Sequence, residues 1–386
     1  MAKSPDEMTQ PEIKIWRAQV LKSLDETTRK CDETLKKTKE SKKILDESLS
    51  QSENLSEKWK SYENRFNHAM KNLVLQIGKQ MVLTPLEPIK EEPAYEPEKM
   101  SPLDASKLLK HKRNIIILTG AGLSAASGIP TFRGNDGLWT KKYKYCDSAE
   151  DFATLRNFKE HPEALWEWMH YRLELCKQAE PNEGHKTILQ FQEYCKLNGV
   201  KCHLITQNID GLHTRLARQS EVLAVEETKQ GDPSHGFTDC VFEIHGNLNY
   251  SRCFAECSKD LKEVQTPKSE LSSEEQIPKC EECESIMRPH VLWFDECYTQ
   301  ELHRVDEVRS ILDSEIDALI IVGTALQTSL ASNIVSHCLM KNILTIDINV
   351  EPACHFGSVV EVCGKSEETL PILFSPFISK KSSKSS

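Results

Sequence analysis

The chain contains 386 residues, 38% of them hydrophobic, which is enough to bury the core of one large domain and to leave a further segment. Its 49 basic and 59 acidic residues give a net charge of -10, so we expect no direct nucleic-acid binding. No apolar run reaches the roughly 18 residues of a membrane-spanning helix, which predicts no membrane partner. The 14 cysteines, without a signal for export, favour a reducing compartment, either the cytoplasm or the nucleus.

The N-terminal region, residues 1–80, is predicted to be helical and coiled-coil-like. From residue 12 onwards, side chains at alternating spacings of three and four form an apolar seam, which Thr and Lys interrupt and which slips once near Ser52. The apolar members are Leu21, Leu24, Leu35, Leu45 and Leu49, followed by Trp59, Tyr62, Phe66 and Leu73. We expect a homo-oligomer, or a partner bound through this helix. Packing onto the rest of the chain and partial disorder are the alternatives.

A proline-rich linker is predicted over residues 81–104, because its prolines are separated by acidic residues. A globular domain should then occupy residues 105–375. The last residues, 376–386, are rich in Ser and Lys, and we expect them to be disordered.

Strand and helix patterns alternate through this domain, which predicts an α/β fold with a doubly wound parallel sheet of the Rossmann-like kind. The predicted strands are Ile115–Leu118, Val200–Thr206, Leu319–Val322 and Leu344–Ile348, and predicted helices include Glu163–Cys176 and His185–Leu197.

The segment after the first of these strands is the most informative in the chain. The aliphatic run Ile115–Leu118 leads directly into Gly120-Ala121-Gly122, where missing side chains allow backbone N–H groups to approach a phosphate. A helix beginning at Ala125 would favour that anion further. Alone, this is a weak dinucleotide-binding pattern. Gly128, however, would stop the helix almost at once, unlike the long helix of a hydride-transferring Rossmann domain.

The complete loop, GAGLSAASGIPTFRG, resembles the NAD-binding loop of the sirtuins, the NAD-dependent protein-lysine deacylases. The resemblance covers about residues 105–375 and implies NAD as the cofactor. By resemblance, Phe132 would shield the reactive carbon of the ribose and Arg133 would order the loop. The loop residues to which the resemblance assigns cofactor contacts are Gly120, Ala121, Gly122, Ser124, Phe132 and Arg133.

A second motif, Thr206-Gln207-Asn208-Ile209-Asp210, follows a buried strand, so its polar residues should lie at the carboxyl edge of the sheet. It is similar to a sirtuin motif in which Gln and Asn line the nicotinamide ribose and Ile-Asp holds the carboxamide. Those roles would fall to Gln207, Asn208, Ile209 and Asp210. Further cofactor contacts implied by the resemblance are Gly323, Thr324, Asn349 and Cys363.

His245 lies just ahead of a cysteine cluster, as the catalytic histidine of sirtuins does. An imidazole that titrates near neutrality suits a base that takes a proton from a ribose hydroxyl. An ordinary packing or surface role is the alternative for a single histidine.

The cysteine cluster consists of two close pairs that can place four thiolates tetrahedrally around one structural zinc ion, with no open coordination position. The pairs are Cys253 with Cys257 and Cys280 with Cys283. Independent reduced thiols are the alternative. We expect a zinc module over about residues 246–290, with the polar insert Ser258–Lys279 looping out between the pairs.

The segment from Arg288 to Glu296 suits an edge strand, and sirtuins use the corresponding segment to pair with the backbone of the substrate peptide. Asp295 stands where the family has Gly, which restricts the backbone conformations open to that turn. Ala325, Thr328 and Leu330 also depart from the family pattern, which has Ser, Val and Pro there.

The acyl pocket is predicted to include Met169 and Arg172. Arg172 matches the arginine with which the desuccinylase/demalonylase branch binds an acyl carboxylate, whereas Met169 replaces its tyrosine and suits a fatty acyl chain. A purely structural arginine is the third possibility. The substrate-side residues are Met169, Arg172, Val291, Trp293 and Phe294.

The resemblance therefore implies removal of an acyl group from protein lysines, with release of nicotinamide and O-acyl-ADP-ribose. The preferred acyl group, acetyl or an acidic one, stays open. Mono-ADP-ribosyl transfer to protein is one alternative. A coiled-coil scaffold with an NAD-sensing but weakly active domain is the other.

Overall fold

A computed structural model of the chain describes residues 98–131, 149–223, 241–264, 276–354 and 358–378. The predicted helical region 1–80 lies outside these residues. Within the described residues, no helix has the length and apolarity needed to cross a membrane.

The strands, in chain order, are β1 (Glu98–Lys99), β2 (Asn114–Thr119), β3 (Lys201–Thr206), β4 (Val241–Glu243), β5 (Gly246–Cys253), β6 (Lys262–Glu263), β7 (Met287–Val291), β8 (Ala318–Val322), β9 (Leu344–Asn349) and β10 (Val359–Cys363). The helices are α1 (Pro102–Leu109), α2 (Ala121–Ser124), α3 (Ala149–Phe152), α4 (Leu155–Glu160), α5 (Pro162–Gln178), α6 (Glu183–Leu197), α7 (Leu212–Arg218), α8 (Gln300–His303), α9 (Val305–Asp313), α10 (Ser329–Met340) and α11 (Ser366–Ile378).

The main sheet has the strand order β1-β10-β9-β8-β2-β3-β4, and every neighbouring pair is parallel. From β2 the chain moves outwards through β3 and β4, and later returns to build β8, β9 and β10 on the other side. This is the strand order of the Rossmann fold, so the predicted doubly wound sheet is confirmed. The order reverses between β2 and β8, which places a crevice at their carboxyl ends.

Strand β2 is buried along its whole length because helices cover both faces of the sheet. Ile115 and Ile117 pack in one core with residues of α1, α6 and α11. Ile116 and Leu118 pack in a second core with residues of α9 and α10. A strand with two covered faces reads as a continuous apolar run, which is why the sequence predicted it.

The smaller module combines the antiparallel sheet β6-β5-β7 with helices α3, α4 and α5 around its own core. The prediction that the whole insert Ser258–Lys279 loops out is wrong. Strand β6 pairs with β5, and the apolar side chains of Leu261, Val264 and Ile277 are buried. Burying these side chains favours folding of the insert ends onto the module.

Two predicted boundaries need correction. The linker 81–104 was drawn too long, because β1 pairs with β10 and α1 begins at Pro102, capped by Ser101. The disordered tail 376–386 was drawn to start too early. Helix α11 continues to Ile378, where Phe377 packs edge-on against Phe191 with ring centroids 5.4 Å apart. In both cases the composition of the segment predicts no ordered structure. The segment is ordered by its contacts with residues that are distant in the sequence.

Candidate functional site

A cavity of about 1100 Å³ opens at the carboxyl edge of the main sheet, at the crevice between β2 and β8. This volume exceeds what one small ligand usually needs, which leaves room for a dinucleotide and part of a second substrate. Most of the predicted site residues line it. They are Gly120, Ala121, Gly122, Ser124, Met169, Arg172, Gln207, Asn208, Ile209, Asp210, His245, Val291, Trp293, Phe294, Gly323, Thr324 and Asn349.

Among the described residues, one predicted cofactor residue, Cys363, is not part of the cavity lining. Phe132 and Arg133 lie outside the described residues. Cys363 is an exposed residue that ends β10 and is not among the residues that line the cavity, so its cofactor contact stays a prediction. The chain turns at Gly364, and the residues that follow, including Lys365, line the cavity instead.

The glycine turn after β2 packs directly on the turn after β8. The N–H of Gly122 donates to the carbonyl of Gly323 at 2.7 Å. A Cβ atom at Gly120 would lie 2.5 Å from the Cβ of Thr324, and one at Gly323, whose φ is +59, would lie 2.4 Å from the nitrogen of Leu123. These glycines are therefore required by the contact between the two turns.

The short helix after this turn differs from the prediction. A single α-helical turn begins at Ala121 and continues as a 3₁₀ turn over Ala125–Ser127. It ends at Gly128, whose φ of 83° gives the left-handed conformation typical of a helix C-terminus. The early stop was predicted correctly, but the helix starts four residues sooner.

A buried hydrogen-bond network joins the two predicted NAD motifs. The hydroxyl of Ser124 donates to the carboxylate of Asp210 at 2.7 Å. The side-chain amide of Asn208 donates to the carbonyl of Gly120 at 3.0 Å and to Ser124 Oγ at 3.1 Å. Each side chain thereby fixes the orientation of another, as a preorganised binding surface requires.

Gln207 connects the second motif to the turn after β8. Its side-chain N–H donates to Thr324 Oγ1 at 2.8 Å, and its side-chain oxygen accepts from the hydroxyl of Thr328 at 3.0 Å. Thr328 is one of the departures from the family pattern. Its hydroxyl holds Gln207 in place across the cavity.

His245 contributes a neutral imidazole to the cavity. Its Nδ1 lies 2.9 Å from the backbone carbonyl of Gln207, and since a carbonyl only accepts, Nδ1 carries the proton. Nε2 therefore has the lone pair and accepts from the hydroxyl of Tyr298 at 2.9 Å. Burial lowers the pKa of His245 to about 4, against the opposing effect of the Gln207 carbonyl. The ring is thus an available base at neutral pH.

The predicted edge strand is β7, which lies at one edge of the small sheet. The chain after it stays next to the histidine, because the N–H of Leu292 donates to the carbonyl of His245 at 2.9 Å. Arg288 forms two hydrogen bonds to the carboxylate of Glu296, which also accepts from the N–H of Trp293. This pairing closes the segment into a fixed turn at the cavity wall.

Asp295, which replaces the family's glycine, makes two hydrogen bonds to the small module. Its carboxylate accepts from the N–H of Leu155 at 2.6 Å and from that of Arg156 at 3.1 Å. These are orphan donors at the N-terminus of α4, so Asp295 caps that helix together with Thr154. The residue that replaces the family's glycine thus ties the predicted peptide-binding segment to the small module.

The predicted acyl pocket is formed by α5 and by the segment after β7. Met169 packs with Val291 and Trp293 in the core of the small module. Arg172 is buried, and its guanidinium lies over the ring of Trp168, 5.0 Å from the centroid. Both side chains reach the cavity, so one wall of it is apolar and carries one cation.

The four predicted metal ligands lie together in the small module. Their Sγ atoms are all within 4.8 Å of one another, and the ligands are Cys253, Cys257, Cys280 and Cys283. Neighbouring sulfur atoms 3.4–3.5 Å apart suit zinc, which binds four thiolates at about 2.3 Å. No carboxylate or histidine is needed, which fits a structural zinc ion.

Sequence patterns missed two residues that shape the cavity. Tyr298 belongs to no recognised motif, and only the folded chain brings it to His245. Asp347 is buried in β9, where its carboxylate accepts from the N–H groups of Ala353 and Cys354 and shapes the turn that lines the cavity. A charged residue within an apolar strand was the available signal for Asp347.

Comparison with known proteins identifies a family for this arrangement. A model described as the Sir2 family matches residues 120–227 and 232–329. An NAD-dependent protein deacylase of Thermococcus kodakarensis is 34% identical over 273 residues, which cover 70% of this chain and 93% of the relative. An NAD-dependent protein deacylase of Daphnia pulex is 31% identical over 298 residues, and the aligned region covers 72% of this chain and 97% of the relative.

Solved structures agree with this result. The crystal structure of a Sir2 homologue in complex with NAD superposes with a TM-score of 0.58 and 28% identity, covering 74% of this chain and 98% of that one. A Sir2 homologue mutant in complex with ADP-ribose gives a TM-score of 0.57 at 27% identity, covering 73% of this chain and 99% of that one.

The zinc ligand set can be tested by elemental analysis. We expect one zinc ion per chain, and Cys253→Ser or Cys280→Ser should lose both the metal and most of the soluble yield. The reason is that the free energy of metal binding at a closed thiolate site contributes to folding. Cys297→Ser, which removes an exposed thiol outside the cluster, is the matched control. Stoichiometric zinc in a double variant of Cys253 and Cys280 would contradict the assignment.

Proposed function

Since this chain belongs to the Sir2 family and is an NAD-dependent protein deacylase, we propose that His245 is its general base and that the cavity binds NAD and acyl-lysine together. The observation that carries this proposal is the meeting of three features in one cavity. They are a neutral imidazole, the two packed glycine turns, and the segment that follows edge strand β7.

In this proposal, NAD binds along the carboxyl edge of the main sheet. Ser124, Asn208 and Asp210 would hold the nicotinamide half through the network that already orients them. The turn at Gly323 and Thr324 would contact the phosphates, and Asn349 would contact the adenosine ribose. Phe132 and Arg133 belong to the proposal by family resemblance alone.

The reaction needs one electrophilic carbon, which NAD supplies at ribose C1′ when nicotinamide leaves. The chain would hold the acyl-lysine amide so that its oxygen faces this carbon, with β7 pairing to the peptide backbone. His245 would then take the proton of a ribose hydroxyl. The products are deacylated lysine, nicotinamide and O-acyl-ADP-ribose.

We further propose that the preferred acyl group carries a carboxylate. Arg172 is a buried cation in the cavity wall, and its stacking on Trp168 restricts the guanidinium to a few orientations. The apolar surroundings, which include Met169, would strengthen a charge-assisted hydrogen bond to an acyl carboxylate. A long fatty acyl chain, which Met169 would also accept, is the competing outcome.

We also propose that residues 12–80 join chains into a homo-oligomer that works in the cytoplasm or the nucleus. The apolar seam supports self-association, and a four-thiolate zinc site suits a reducing compartment. Light scattering should show an oligomer for the full chain and a monomer for a variant that begins at Pro93, ahead of β1, and the shorter variant should keep its deacylase activity. A monomeric full chain would contradict the proposal.

Replacing the proposed base should separate two stages of the reaction. His245→Ala should lower formation of deacylated peptide by roughly 10²- to 10⁴-fold, the usual contribution of a general base. Exchange of labelled nicotinamide into NAD needs only the earlier stage and should survive.

The pH profile of the wild-type chain gives a further prediction. Because the pKa of His245 is held at about 4, the deacylation rate should fall with decreasing pH near pH 4 rather than near 6.5.

The control for His245→Ala is His111→Ala, which removes a histidine outside the cavity wall. Circular dichroism at each pH would separate loss of the base from acid unfolding. If His245→Ala deacylated the peptide at the wild-type rate, His245 could not be the general base.

The acyl group can be identified with a panel of acetyl, succinyl, glutaryl and myristoyl peptides. Arg172→Met should reduce kcat/KM for succinyl-lysine about 10- to 150-fold more than for acetyl-lysine, the equivalent of about 1.5–3 kcal/mol for a charged hydrogen bond. Arg309→Met, which removes an exposed cation on α9, is the control. Equal losses on both peptides would exclude the acidic acyl group, and a myristoyl preference would assign the pocket to fatty chains.

A further inference from the structure

The lone pair of the proposed base is already engaged in the folded chain. Nε2 of His245 accepts from the hydroxyl of Tyr298 at 2.9 Å, while Nδ1 donates to the Gln207 carbonyl. An imidazole ring has no other nitrogen with which to accept a proton. Any proton that His245 takes from a substrate must therefore either displace Tyr298 or pass through it.

Displacement of Tyr298 is opposed by its packing. Its ring lies edge-on to the buried ring of His303, with centroids 6.0 Å apart, and packs against the core between the sheet and α9–α10. At the start of α10, the side chains of Thr328 and Ser329 and the backbone of Leu330 counteract part of the rise that burial causes in the pKa of Tyr298. The packing of the ring thus opposes its displacement.

The surrounding hydrogen bonds hold His245 from both of its nitrogen atoms. Gln207 holds His245 through its backbone carbonyl and accepts from Thr328 through its side chain. Tyr298 donates to the other nitrogen of His245. Tyr298 is only partly buried and lines the same cavity as the proposed NAD residues, so it faces the space in which a substrate hydroxyl would lie.

We propose that Tyr298 is a second catalytic residue, which passes the proton of the ribose hydroxyl to Nε2 of His245. The proposal rests on the base role of His245 given above. In the transfer, the ribose O–H bond breaks as a new O–H bond forms on Tyr298. At the same time the original tyrosine O–H bond breaks and an N–H bond forms on Nε2. Tyr298 stays neutral, the imidazole becomes cationic, and the ribose oxygen gains the negative charge.

Burial sets the protonation states from which this transfer starts. Burial raises the pKa of Tyr298 above its usual value, so the phenol is protonated and able to donate. Burial also lowers the pKa of His245, so its Nε2 is unprotonated and able to accept. Tyr298 can therefore give its proton to His245 only when a substrate hydroxyl donates a proton to Tyr298 in its place.

The test is Tyr298→Phe, which keeps the ring and removes the hydroxyl. We expect formation of deacylated peptide to fall roughly 10- to 100-fold, because water would replace the phenol only in part. Nicotinamide exchange into NAD should stay within about threefold of wild type, since it precedes proton removal. Tyr194→Phe, on α6 and outside the cavity wall, is the matched control.

A second readout needs no turnover. In protein labelled with ¹⁵N-histidine, the Nε2 resonance of His245 should move downfield in Tyr298→Phe, because its lone pair loses a hydrogen-bond donor. An unchanged resonance would show that the contact is absent and would overturn the proposal.

The remaining outcomes are also decisive. Unchanged or faster deacylation by Tyr298→Phe would overturn the relay, and so would equal losses of exchange and deacylation, which indicate a purely structural role. The base assignment is tested separately by His245→Ala. If that variant loses deacylation while Tyr298→Phe does not, His245 remains the base and only the relay fails.

Discussion

The close approach of two strand-end turns at the reversal of the strand order is the constraint on which the site depends. Gly120 and Gly122 meet Gly323 and Thr324 at separations that leave no room for a Cβ atom. Because of this contact, the ends of β2 and β8 stay together, and Gln207 on the next strand can reach across to Thr324. A larger residue at Gly120 would separate the turns and would disturb the whole hydrogen-bond network, not only one cofactor contact.

Burial around this contact also determines the chemistry. A fully solvated histidine would be partly protonated near neutrality, but the pKa of His245 is lowered to about 4 because the cationic form is poorly solvated in the cavity. The Gln207 carbonyl fixes the tautomer, so the nitrogen that faces Tyr298 is always the acceptor. The same fold therefore supplies both the protonation state and the orientation that proton removal requires.

The sequence predicted those parts of the fold that depend on local pattern. Strand β2 was found because its two covered faces give a continuous apolar run, and the four thiolates were found because their spacing is itself the signal. Strand β1 was assigned to the linker because its two exposed residues carry no apolar signal, and only pairing with β10 orders it. The family position of Cys363 indicates only the neighbourhood of a contact, and in the folded chain the residues after it, Gly364 and Lys365, line the cavity.

Residues of the segment from Arg288 to Tyr298 acquire their roles through contacts with residues that are distant in the chain. Asp295 caps α4, and Arg288 and Glu296 close the turn between them. A few residues on, Tyr298 reaches the nitrogen of His245. One continuous segment thus follows β7, forms part of the cavity wall and ends at the contact with His245. A shift of this segment would move the wall and that contact together, so it would couple the proposed position of the acyl-lysine to the proposed proton transfer.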